Sequence, residues 1–145
     1  MASDRTLRWS AVAFFVLFAV VVALGYIPQL NGATDHVAMS ASGEHQMMGL
    51  YMIGTADDVT HGLTALLFLG AALVSARASR MILTAFGWYY AVDATIYLAT
   101  GFLQGHAFVS TILLNLPHVV LSGIMLALAY RGRANVPAPG LPAAA

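Results

Sequence analysis

VTHGLTALLFLGAALVSARASRMILTAFGWYYAVDATIYL, residues 59–98, decides the architecture. It holds two apolar runs, each near the twenty or so residues that cross a hydrocarbon layer of about 30 Å. They are joined by SARASR, a link that leaves room only for an antiparallel turn. Arg77 and Arg80 in that link fix its side, because arginines near membrane spans are retained in the cytoplasm.

Two more runs flank this pair. Residues 9–27 are almost unbroken in apolar character and stop at Pro28, which has no N–H with which to continue a helix. Residues 107–130 form the last run. With crossings at 59–76 and 81–103, the sequence predicts an all-α, four-transmembrane-helix up-down bundle in residues 1–133. The six basic residues are all arginines, in the pairs Arg5/Arg8, Arg77/Arg80 and Arg131/Arg133. The positive-inside rule therefore puts both termini in the cytoplasm of a cell whose inner membrane holds the chain. A secretory signal competes for the first run, since Arg5 and Arg8 precede it. That run exceeds the usual signal core and lacks a strong small-residue cleavage pattern, so an uncleaved anchor is expected.

Composition agrees: 60% of the 145 residues are hydrophobic and 8% are charged, far below the roughly one quarter that keeps a domain soluble. There is no cysteine, which excludes disulfides and thiolate metal sites. The few arginines are accounted for by topology, and nucleic acid is not an expected partner. The short links, SARASR and QGHAF, predict that the second, third and fourth helices pack together with the first beside them. Residues 134–145, rich in proline and alanine, read as a disordered tail.

A polar pattern occurs twice. Aligning His61 with His118 aligns Asp58 with Asn115, giving D-x-x-H and N-x-x-H at two helices that run in the same direction. Asp and Asn side chains accept hydrogen bonds from the free N–H groups of a first turn, so the first expectation is a pair of helix caps. Pro117 is tolerated in a first turn and fits this, but a helix starting at Leu116 is short for a crossing. The alternative is a longer helix kinked at Pro117.

A second expectation is a buried polar seam. Thr111, Asn115, His118, Ser122 and Met125 recur at helical spacing on the fourth run, and Tyr89, Asp93, Tyr97 and Thr100 on the third. Asp57, His61 and Thr64 do so on the second. Asp93 is the only acid within the expected crossings, and an intramembrane carboxylate needs a partner, with His118 the first candidate. Asp58, Thr64, Tyr89, Asp93, Tyr97, Asn115 and Ser122 make up the seam. Its bland purpose is helix adhesion through hydroxyls, amides and small residues. Its functional purposes are haem or pigment ligation by His61 and His118, or a proton or small-solute pathway through Asp93. In the long connection 28–58, His36, Met39, His45, Met47 and Met48 offer imidazole and thioether donors that suit copper. The same methionines also suit an interfacial apolar surface.

GLYMIGTADDVTHGLTALLFLGAAL, ASRMILTAFGWYYAVDATIYLATG and LNLPHVVLSGIMLALAY together resemble a group of small bacterial four-helix membrane proteins classed as a domain of unknown function. That group shows a Gly-Leu-aromatic stretch, an Asn-x-x-His-Leu-x-x-Gly helix start, an arginine-rich inner turn and a second Asn-x-x-His start. The resemblance covers about residues 49–130. It implies the four-helix fold and the repeated helix starts and assigns no activity. Asp58 and Gly62 depart from the group's asparagine and leucine, and Asp93 has no assigned counterpart. No hydrolase, phosphate-binding or nucleotide-binding motif is present. The expected role is thus a non-enzymatic inner-membrane protein, an accessory or packing subunit whose partners are lipid, other membrane subunits or itself.

Overall fold

The computed structural model describes residues 3–27, 45–47 and 51–131. Four helices, α1 (Asp4–Gly25), α2 (Thr55–Val74), α3 (Ala76–Leu103) and α4 (Phe108–Tyr130), account for nearly all of them. The exception is a small antiparallel hairpin of β1 (His45–Met47) and β2 (Tyr51–Ile53), with Gln46 opposite Met52. By length and composition α1, α2 and α4 are able to cross a membrane. The longest helix, α3, is not among these three, since Arg77, Arg80, Tyr89, Tyr90, Asp93 and Tyr97 dilute its apolar content.

The helix ends differ from the sequence expectation at informative places. α3 begins at Ala76, not at residue 81, so Arg77 and Arg80 sit inside a helix and the link shrinks to Ser75. Ser75 is extended (φ −170°, ψ 163°), and its hydroxyl accepts from the Ala78 N–H at 3.0 Å, an N-cap that lets one residue reverse the chain. Ser79, buried just beyond, donates to the carbonyls of Ser75 and Ala71 at 3.0 and 3.2 Å and clamps the joint. At its other end α3 stops at Gly105 (φ 75°), where the Gly105 and His106 N–H groups return to the carbonyls of Phe102 and Gly101. This two-bond stop favours glycine, which takes a left-handed conformation without Cβ strain.

The tightest pairings are α1 with α2 and α3 with α4, while α2 has at most marginal contact with α4. α1 is therefore an integral half of the bundle, not a helix set beside the other three. It buries Leu7, Ala11, Phe14 and Phe18, spaced four, three and four residues apart, against Ala65, Phe68 and Ala72 of α2. The Phe14 and Phe68 rings stack at 5.3 Å. Arg8 donates from Nε to the Ala72 carbonyl at 2.7 Å, satisfying a carbonyl of the last turn of α2.

On α3, Gly87, Ala94 and Gly101 recur every seven residues and are all buried. A Cβ on Gly87 would come within 2.7 Å of Leu126, and one on Gly101 within 2.7 Å of Thr111. Small residues at these two points let the α3 and α4 backbones approach, which is how helices adhere in lipid, where water exclusion no longer drives packing. α1 start, α2–α3 joint and α4 end thus share one end of the bundle, called here the arginine end. The hairpin lies at the other.

Candidate functional site

The repeated Asp/Asn-x-x-His pattern is not a pair of helix caps. α4 starts at Phe108, so Asn115 lies well inside it, buried, with its side-chain amide donating to the Thr111 carbonyl at 2.7 Å. Pro117 is also interior and removes one N–H from the helix ladder. α2 starts at Thr55 after Gly54, and the residue that closes its first turn is Asp57, which accepts from the Gly54 N–H at 3.0 Å. Asp58, buried, instead accepts from the Tyr26 hydroxyl at 2.9 Å, tying the end of α1 to the start of α2.

With both histidines placed inside helices, their surroundings become the question. Asp93 Oδ2 lies 3.1 Å from His118 Nδ1, without the alignment of a good hydrogen bond, so the pair is a close polar contact. Both side chains are about a quarter exposed. At 1.5 Å per residue the two sit about 15 Å from the hairpin end along their helices. His61 lies about 9 Å from the start of α2. Its Nδ1 is buried and makes no hydrogen bond.

The imidazoles are joined through aromatic rings. His61 stacks on Phe18 at 5.8 Å, Phe18 on Tyr90 at 5.7 Å, and Tyr90 leans on His118 at 5.1 Å. Neither Phe18 nor Tyr90 was legible as a site residue, although helical spacing with Leu83, Gly87 and Ala94 marks Tyr90 as inward-facing.

The seam is narrower than its sequence pattern. Asp58, Thr64, Asn115 and Ser122 are buried, as is Thr111. Tyr89 and Tyr97 are more than half exposed and fall outside it. Both lie to one side of the buried row of Leu83, Gly87, Tyr90, Ala94 and Gly101 on α3, an offset that the interval of four alone did not distinguish. Asp93 falls between Tyr89 and Tyr97 around the helix, with its side chain about a quarter exposed.

A haem held between His61 and His118 does not fit. A macrocycle would occupy the space between the two imidazoles, and the connecting rings Phe18 and Tyr90, almost fully buried, already pack there. Among the described residues no three His, Asp or Glu side chains converge on a metal position. Of the copper candidates, His36, Met39 and Met48 lie outside the described residues, and His45 and Met47 are described only as backbone in β1. Compared with protein-family models, curated proteins and solved structures, the chain matches none.

Proposed function

We propose that the chain is a non-enzymatic protein of a bacterial inner membrane that crosses the bilayer four times, arginine end in the cytoplasm, and that its working part is a proton-binding site at Asp93 and His118. One observation carries the reading: a carboxylate and an imidazole 3.1 Å apart at mid-span, with no arginine among their contacts in the described residues. A charge at that depth is costly in lipid, and a proton shared across the pair removes or pairs it. Adhesion alone needs only the hydroxyls and amides already present on α2 and α4.

The test is infrared difference spectroscopy of the purified protein between acid and alkaline pH. Wild type is expected to give paired carboxyl and imidazole bands. Asp93→Asn abolishes the first and His118→Gln the second. Difference spectra unchanged in both variants would rule the site out.

A second reading, an accessory subunit, is favoured by α3. Tyr89 and Tyr97 present half-exposed hydroxyl-bearing rings well within the span, where lipid offers no hydrogen-bond partner. A photo-crosslinker in place of Tyr97 in native membranes is expected to yield a protein adduct, and lipid adducts alone would count against this role.

A further inference from the structure

The polar groups are not spread evenly along the bundle. In the half nearer the hairpin end are Asp57, Asp58, His61 and Thr64 of α2, Asp93 of α3, and Thr111, Asn115 and His118 of α4. Toward the arginine end the buried side chains become Leu7, Ala11 and Phe14 of α1, Phe68 and Ala72 of α2, Leu83 of α3, and Met125 and Ala129 of α4. Two buried hydroxyls lie there: that on Ser79 is already spent on the carbonyls of Ala71 and Ser75, and that on Ser122 is one helical turn from His118, on the well side of Met125. Phe68 and Leu83 have no measurable exposure, and Phe14, Phe18, Phe68 and Phe86 close ranks with ring centroids 5.3 to 6.4 Å apart. Beyond Ser122, water or a proton chain crossing that layer would find, among the described residues, no buried hydrogen-bonding side chain free to carry it.

We propose that protons reach Asp93 and His118 only from the hairpin end, past Asp57, Asp58 and His61, and that the apolar layer around Phe68 and Met125 closes the other side, making the site a one-ended well that follows the acidity outside the cell. This rests on the proton-binding reading above. His61 is the intermediate station: it lies one helical turn below Asp57 and its unpartnered Nδ1 faces the interior. Among the described residues the titratable groups around the well are Asp57, Asp58 and His61 from α2, Tyr89, Tyr90, Asp93 and Tyr97 from α3, and His118 from α4. α1 contributes only Phe18, with Tyr26 bound to Asp58 at the rim.

The chain has no cysteine, so single cysteines can report access without background. His61→Cys and the milder Thr64→Cys are expected to react with a membrane-impermeant methanethiosulfonate added outside intact cells and not in inside-out vesicles. Ala72→Cys and Met125→Cys are expected to react from neither side. In proteoliposomes the wild-type protein is expected to pass protons no faster than protein-free liposomes. Labelling of Ala72→Cys or Met125→Cys from the cytoplasmic face, no labelling of either outer-half cysteine, or a flux that Asp93→Asn reduces would overturn the well. Loss of the infrared signature would instead remove the proton site, and the labelling pattern would still report the shape of the interior.

Discussion

His118 and Asp93 make contact, yet the imidazole also leans on Tyr90 and both side chains are about a quarter exposed, so the imidazole is not held by the carboxylate alone. A double-mutant cycle separates the two supports. Asp93→Asn and His118→Gln together are expected to destabilise the protein by less than the sum of the single changes, with a coupling of about 0.5–3 kcal/mol read from unfolding in detergent. Strict additivity would mean the contact carries no energy. At the rim, the hydrogen bond from Tyr26 to Asp58 and the negative charge of that carboxylate raise the phenol's pKa. A raised folded-state value stabilises the fold fully below the ordinary phenol value of about 10 and is lost as pH climbs through the folded one. Thermal stability of wild type should therefore fall above about pH 10 more than that of Tyr26→Phe. Of these residues the sequence exposed the chemistry but not the neighbours: an acid in an apolar run demands a partner, whereas Tyr26 and Asp58 are distant in sequence and no local pattern joins them.

For elements, apolar run length and arginine position carried most of the information, because the cost of lipid-exposed backbone polar groups leaves few choices for such runs. What they left undetermined was where helices begin. Arginine is a good helix former, so Arg77 and Arg80 extend α3 toward α2 until Ser75 stops it, and a stretch that reads as a link becomes helix. Asn115 misled for the opposite reason. A cap residue buried in mid-helix looks the same in sequence as one at a terminus, and only the continuity of α4 from Phe108 reveals its bond to Thr111. The glycines divide the same way. Gly87→Ala forces Leu126 aside and is expected to cost about 1–3 kcal/mol, seen as a lower melting temperature in detergent. A Cβ on Gly70 or Gly123 meets open space, so Gly70→Ala and Gly123→Ala should leave that temperature unchanged or raise it.

Across the whole molecule, all five described arginines gather at one end, and this asymmetry makes a direct forecast about orientation. A green fluorescent protein fused after Tyr130 is expected to fluoresce, and alkaline phosphatase fused there to stay inactive. Phosphatase inserted at Gly105 is expected to be active, and the reverse pattern would invert the molecule. The two halves, α1 with α2 and α3 with α4, meet where α3 packs on both α1 and α2, Phe18 on Tyr90 and Phe68 against Phe86, and are tied covalently only at Ser75. A joint of one residue has a cost during biosynthesis. If α3 crosses the bilayer as proposed, α2 has no slack with which to settle alone while the ribosome delivers α3, and the insertion machinery must accept the two as a single hairpin whose halves succeed or fail together.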